Sequence, residues 1–395
     1  MFSICSELYF RIIFVFTHSK KCIFELLWKE KYSMNRKNVI HCVIVLILLV
    51  ACDSKESRST ITDAPPQNPL PTEQFIRNHL LQPDGLISTN LTDRKGEYLS
   101  ESIGLWMEYL LISDQKQSFD FQLSVLRKHF YSKDNLLIWR IDKGQMANAN
   151  ALIDDLRVIN VLYRAEKKWG DVQYKEYANK MSKTLLKYQL QQQYFVDFIN
   201  LDDKQGTHYL TLSYIMPNAL RQMKKEGLLS EGVYSQNIDV LRNAPTSKEG
   251  LYPKSFNTES SQYVFDQRVN LIDQLYIGYH LASIGEDVNS LVGFIEDRMN
   301  NNNGKLFGQY SGRTGTPIVR YESPSVYALA IMFLNETDHQ NLIPELYKRM
   351  IALRQNSEEK PYFGGYIDVD TLETHAFDNL LPLIVDTLYA KNSQN

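Results

Sequence analysis

No cysteine follows Cys52. Cys5, Cys22, Cys42 and Cys52 all lie near the start of this 395-residue chain, so the long remainder can form neither an internal disulfide nor a cysteine-based zinc site. An excess of one charge is equally lacking. With 43 basic against 46 acidic side chains and no long basic stripe, the clustered cations that neutralise phosphate in nucleic-acid binding are missing. There is no HExxH, no P-loop, no GxSxG and no GxGxxG opening a helix after a strand, and the eight histidines are scattered without metal spacing. Zinc hydrolase, NTPase, esterase and dinucleotide chemistry therefore drop out, and neither a metal nor a cofactor is expected. Glycine, at 18 residues, is too sparse for a collagen-like chain. Apolar residues make up 44% and aromatic ones 12%, enough to build a large core in one or two globular domains.

The chain begins with an address. Met34-Asn35-Arg36-Lys37 opens a short cationic region, and Val39 to Ala51 is an apolar run broken only by His41 and Cys42. These are the first two regions of a secretory signal, too short for a comfortable membrane span. The run ends in Leu49-Val50-Ala51-Cys52, which resembles a bacterial lipobox whose cysteine is lipidated and becomes the new N-terminus. Met34 is read as the true start, and residues 1–33 carry a second apolar stretch with no recognisable purpose. Asp53 to Thr72, rich in Ser, Thr, Asp and Pro, cannot bury enough apolar surface to offset its ordering entropy and reads as a tether. The expected division is signal and upstream extension 1–51, tether 52–72 and folded body 73–395. An extracytoplasmic body would then be held to the membrane through lipidated Cys52.

From residue 73 apolar residues recur at spacings of three and four, which predicts helices over 73–81, 98–112, 115–130, 150–168, 172–190, 215–226, 229–242, 261–285, 287–301, 323–335, 338–354 and 374–391. Long loops at 131–149, 191–214, 243–260, 302–322 and 355–373 recur after pairs of helices, about every 50 residues. Twelve helices in six hairpins with the long loops gathered at one rim fit an all-α (α/α)6 barrel better than a stacked solenoid, because no sequence repeat accompanies the period. The loops are rich in aromatics, including Trp139, Tyr194, Tyr252, Tyr310, Tyr321 and Tyr362-Phe363-Gly364-Gly365-Tyr366. Rings lining a groove suit sugars, whose C–H faces stack on π surfaces; packing in core and loops is the plainer use of the same residues.

Several carboxylates sit where helices should begin. Ser100-Glu101 opens the helix through Trp106, where capping and the helix dipole account for both residues unless Glu101 is buried or has a carboxylate neighbour to raise its pKa. Asp154 and Asp155 each head an apolar row, Val158, Val161 and Ala165 after the first and Ile159 and Leu162 after the second. That pattern marks an inner helix opening into a cleft, or an acidic first turn. Tyr263-Val264-Phe265-Asp266-Gln267-Arg268 places another carboxylate among aromatics, as a functional acid or as a salt bridge to Arg268. His375 reads as a cap or a core residue as readily as a functional one.

In order and spacing, Ser100-Glu101-Ser102-Ile103-Gly104, Leu137 to Asp142, Ala151 to Leu156 and Phe265 to Val269 resemble the motifs of glycoside hydrolase family 8, across roughly residues 75–390. They are most similar to the divergent bacterial lipoprotein branch found with exopolysaccharide synthesis systems. The resemblance implies an (α/α)6 barrel and mostly inverting endo-glycosidase action on β-linked glycans. It places Glu101 on the general acid, Asp155 on the aspartate that orients the sugar at the cleavage point and Asp266 on the general base. Asp154 stands where the family has a small residue, and Asn270-Leu271 replaces the usual proline-tryptophan. Further substrate contacts are expected from Trp106, Trp139, Asp154, Tyr263, Arg268, Tyr321, Phe363, Tyr366 and His375. The expected protein is a monomeric, lipid-anchored hydrolase of an exopolysaccharide, with a polysaccharide substrate and no nucleic-acid partner. A non-catalytic glycan-binding lipoprotein and a polysaccharide lyase are the alternatives.

Overall fold

The computed structural model describes residues 69–392. The signal, the lipobox with Cys52 and most of the expected tether lie outside the described residues. The helices are α1 (Pro71–Phe75, continuing as a π-turn over Ile76–Leu80), α2 (Ser100–Ile112), α3 (Lys116–His129), α4 (Leu152–Trp169), α5 (Val172–Tyr188), α6 (Pro217–Lys225), α7 (Glu231–Arg242), α8 (Leu271–Ala282), α9 (Asn289–Asn301), α10 (Pro324–Asn335), α11 (Ile343–Ala352) and α12 (Ala376–Asn392). The even-numbered helices form the inner ring. α2 packs on α4, α4 on α6, α8 on α10, α10 on α12, and α12 closes onto α2. Where α6 and α8 would meet, the short 3-10 turn Leu212–Tyr214 packs between α8 and α4. This is the (α/α)6 barrel.

The two rings differ as their environments require. α10 is buried along nearly its whole length from Pro324 to Leu334, because an inner helix touches neighbours on every side. α3 buries one stripe, Phe119, Gln122, Leu123, Val125 and Leu126, and turns the rest to water. The ring closes through the chain's two ends, with α1 serving as the outer partner of α12. That seam explains the Gly364-Gly365 pair. Gly364 has φ +82°, and a β-carbon there would stand 1.9 Å from the Pro71 carbonyl oxygen; one at Gly365 would stand 2.5 Å from the Phe75 ring.

Short antiparallel strands decorate the rim. They are β1 (Glu97–Leu99), β2 (Arg140–Asp142), β3 (Gln145–Met146), β4 (Leu190–Gln191), β5 (Tyr194–Phe195), β6 (Tyr209–Thr211), β7 (Ser255–Asn257), β8 (Gln262–Val264), β9 (Arg268–Asn270) and β10 (Gln309–Ser311). They pair as β1-β2-β3, β4-β5, β6-β7-β8 and β9-β10. This corrects one expectation. The helix predicted over 261–285 is helical only from Leu271 to Ala282, and its first ten residues build β8 and β9, as their aromatic and β-branched run Tyr263-Val264-Phe265 favours. Asp266 therefore lies between two strands, not at a helix start.

Candidate active site

β1 runs straight into α2, which delivers Glu101 to the rim as the second residue of the helix. Ser100 does not cap α2, as its place in the sequence suggested. Leu99 holds the N-cap position, and the Ser100 hydroxyl reaches across to donate to Asp154 Oδ2 at 2.7 Å. Asp154 is in turn held by Arg157 Nη1, which donates to its Oδ1 at 2.9 Å; both side chains are buried. Gly104 makes room for this pair, since a β-carbon there would stand 3.1 Å from Arg157 Cδ.

Asp155, expected to orient the sugar, has both oxygens engaged within the protein. It is fully buried, its Oδ1 accepts from the Leu137 amide at 3.0 Å and its Oδ2 from Asn150 Nδ2 at 2.8 Å. Burial pushes its pKa up to about 8. One oxygen ties α4 to the loop before β2 and the other to the segment that leads into α4. Asp154, one residue earlier, is the aspartate beside Glu101.

Glu101 is half-buried, and its carboxylate accepts no hydrogen bond among the described residues. Burial raises its pKa to about 7, with Arg157 pulling it down and Asp154 and Asp378 pushing it up. Asp378, near the start of α12, takes the Ser323 hydroxyl at 2.6 Å. Arg94, whose field also reaches Glu101, ion-pairs with Glu97 and lies 3.3 Å from His375 Nε2. His375 serves as a cap, its Nδ1 accepting the Phe377 amide at 3.1 Å, so it lies in the wall behind Asp378.

The other wall carries a second group of acids. The Tyr214 phenol, whose pKa burial raises, sits in the field of Asp197, Asp154, Asp273 and Glu101 and makes no hydrogen bond among the described residues. Asp197, raised to about 6 by burial, has both oxygens engaged by Thr211, at 2.5 Å from its amide and 2.7 Å from its hydroxyl. Asp273, in the first turn of α8, takes the Ser213 hydroxyl on Oδ1 at 2.9 Å and keeps its other oxygen free. Burial raises its pKa as well. Asp266 is more open and pairs with Lys254 at 3.2 Å; it does not pair with Arg268, which donates instead to Gln309 across the β9-β10 ribbon.

The aromatic expectations divide. Trp106 is a core residue at 2% exposure, packed on Tyr109 and beneath Arg77, and Tyr366 is buried at 4%; neither can reach a sugar. Tyr263 spends its hydroxyl on the Val240 carbonyl and its ring on Phe256, beside α7. Trp139, half-buried under Arg140, its carbonyl accepting the Ser100 amide, remains at the rim with exposed Tyr321 and half-buried Phe363.

No family model matches the chain. YdaJ of Bacillus subtilis (strain 168), provisionally designated a lipoprotein, is 41% identical over 318 residues, covering 80% of this chain and 86% of YdaJ. A solved structure described as a novel alpha-amylase from Clostridium perfringens is 26% identical with a TM-score of 0.74, covering 80% of this chain and 96% of that one. Endoglucanase Cel10 of Klebsiella pneumoniae, a family 8 glycosyl hydrolase, has the same fold at 15% identity and TM-score 0.59, covering 82% of this chain and 99% of its own. The chain belongs to the family of YdaJ, and it has the fold of the family 8 glycosyl hydrolases.

Three cleft residues lie outside the motifs that the sequence offers, Arg157, Tyr214 and Asp197, whereas Asp273 follows the motif at 263–268 in the chain. Arg157 did leave a signal, an arginine three residues after Asp154 among the apolar rows that mark the buried first half of α4. Tyr214 and Asp197 lie in irregular segments whose approach to α4 and α8 no periodicity reveals.

Proposed function

We propose that the chain is an exported, lipid-anchored glycoside hydrolase of family 8 that cuts an extracellular polysaccharide internally and with inversion. The observation that carries the reading is Glu101: a half-buried carboxylic acid with both oxygens free, protonated up to about pH 7, and surrounded by further carboxylates at the mouth of the ring. A proton donor needs that elevated pKa. In the proposed reaction Glu101 gives its proton to the glycosidic oxygen as the C–O bond breaks. A water on the opposite face of the sugar attacks the anomeric carbon and passes its proton to a second carboxylate. Asp273 suits that second role better than Asp266, because it is set into the wall beside Tyr214 with one oxygen held and one free, whereas Asp266 is open to solvent and ion-paired.

Export and anchoring are supported by the lipobox at Cys52 and by the designation of YdaJ. A glucan or a related exopolysaccharide is the substrate class, since the neighbours' descriptions name an amylase and an endoglucanase. The test is release of reducing ends by the purified protein from soluble starch, carboxymethylcellulose, xylan and the exopolysaccharide of its source organism. Glu101→Gln should lower the rate by about 10²–10⁴-fold; equal rates for the two proteins would remove Glu101 as the acid. One observation favours a second reading, a glycan-binding lipoprotein without turnover: the acid at the family's base position is tied to Lys254. Its mark is retention of a glycan with no new reducing ends at any pH.

A further inference from the structure

Away from Glu101, outer helix α7 leaves one face unpacked along its whole length. Gly232, Gln236, Asp239 and Asn243 follow one another at i, i+4, i+7 and i+11, so they share a face and line a groove about 16 Å long at 1.5 Å rise per residue. The opposite wall is an aromatic cluster in which buried Phe256 holds half-buried Tyr194 and Tyr263, their rings inclined to its own by 52° and 64°. Tyr194 of β5 lies 5.3 Å from Phe256 of β7, which lies 5.2 Å from Tyr263 of β8. Between helix and cluster is a cavity of about 440 Å³ that shares no lining residue with the Glu101 site. Gly232 keeps one end open, since a β-carbon there would meet nothing within 4 Å.

The two walls offer different chemistry. Asp239 accepts from Arg242 on one oxygen and keeps the other, and the Asn243 side-chain carboxamide and the Tyr194 hydroxyl make no hydrogen bond among the described residues. Gln236 holds its only partner, the Gln192 carbonyl, at a long 3.4 Å. Neutral side-chain amides and one carboxylate oxygen thus share the groove with the rings of Tyr194 and Tyr263. A pyranose has just such a division, with C–H groups for the rings and hydroxyls for the amides and carboxylate. A peptide would need apolar anchor pockets and a nucleic acid a cationic wall, and the groove has neither.

We propose that the groove along α7 is a second carbohydrate-binding site, which holds a stretch of glycan chain outside the catalytic cleft. Only the identity of the polymer rests on the hydrolase reading. For an anchored enzyme, such a site would keep a long chain at hand between cuts by raising its effective concentration at the cleft.

The test is native electrophoresis of the Glu101→Gln protein through gels containing soluble starch, hydroxyethylcellulose, xylan or the exopolysaccharide of the source organism. It is run beside the same protein carrying Gln236→Ala and Asn243→Ala, and beside one carrying Tyr194→Ala, with thermal melts confirming that each is folded. The expected result is retardation by at least one polymer, weakened about tenfold in apparent affinity by either set of changes, as the loss of two hydrogen bonds or one stacking ring predicts. Equal retardation of all three proteins, or none with any of the four polymers, overturns the second site. The hydrolase reading fails separately. If the unsubstituted protein releases no reducing ends while its retardation still depends on Gln236 and Asn243, the groove stands and the enzyme does not.

Discussion

Arg157 and Asp154 form a buried ion pair one helical turn long, 2.9 Å from Nη1 to Oδ1, at the end of α4 that faces Glu101. The second guanidinium nitrogen, Nη2, is buried without a hydrogen bond among the described residues, and the same guanidinium lies in the field of Glu101 and of Tyr276. Buried pairs of this kind rarely add net stability over an apolar packing of equal volume. Their effect here is local. Glu101 has a cation that favours its ionised form and an anion that favours its protonated form, both held by the same two contacts.

Removing one member at a time should therefore move the acid in opposite directions. Arg157→Met takes away the cation that lowers the Glu101 pKa, so the alkaline limb of activity shifts to higher pH. Asp154→Asn takes away an anion that raises it, so the limb shifts to lower pH. The first variant should also lose about 3–5 kcal/mol of stability, because it strands Asp154 in the wall, and Arg157→Lys should recover part of both effects. The measurement is kcat/KM against pH; limbs that move the same way in the two variants contradict the arrangement.

Glu101 also makes a stability prediction. Its folded pKa of about 7 lies above that of an unfolded glutamate, so its contribution is fully present below about pH 4 and is lost as pH rises through 7. Glu101→Gln, which never ionises, should match the unsubstituted protein in acid and exceed it at pH 9. At about 1.4 kcal/mol per pKa unit, and allowing for the partial exposure of the carboxyl, the gap should be on the order of 1–3 kcal/mol. Thermal melts of both proteins across this range decide it, and a gap independent of pH would mean that Glu101 is not raised.

The barrel was legible in the sequence because helical periodicity is a local property: Val158, Val161 and Ala165 announce an inner helix without reference to anything outside it. Glu101 was legible for a related reason, since its motif lies within one helix start. What failed to show was contact at a distance. Nothing near Asp155 says that the Leu137 amide and Asn150 consume its oxygens, and nothing near Trp106 says that Tyr109 and Arg77 enclose its ring. The run 261–270 misled because its apolar residues also fit a helical spacing, while β9 finds its partner in β10, some forty residues away. Gly364 looked like part of a sugar-binding loop and proves to be a seam, because its neighbour Pro71 comes from the other end of the fold.

Asp155 can be separated from the chemistry by a conservative change. Its pKa of about 8 keeps it a neutral acid at pH 6, where asparagine is its near isostere. Asp155→Asn keeps an acceptor for one of its two donors, the Leu137 amide and Asn150, and turns its NH2 toward the other, so it should cost about 1–3 kcal/mol there and leave turnover in place. Asp155→Ala strands the Leu137 amide and Asn150 and should cost about 2–4 kcal/mol. Chemical denaturation gives the stabilities and reducing-end release the turnover. An asparagine variant that melts normally and has lost activity would return Asp155 to the sugar.

The carboxylate that receives the proton from water is the remaining choice, and free oxygens discriminate between the candidates. Asp154, Asp155 and Asp197 have both oxygens in hydrogen bonds within the protein, so none can take up a water without giving one away. Asp266 has its charge spent on Lys254 in a position open to solvent, where a water is not held in one orientation. Asp273 is fixed by Ser213 through one oxygen, keeps the other free among the described residues, and, like Glu101, acts through its charge on the Tyr214 phenol. Asp273→Asn should therefore lower kcat by about 10²–10⁴-fold with little change in KM. Asp266→Asn should retain most of its turnover, and Ser213→Ala should fall between them by loosening the base without removing it. Steady-state kinetics on the best polymer of the panel ranks the three, and an inactive Asp266→Asn beside an active Asp273→Asn would return the role to the family's usual position.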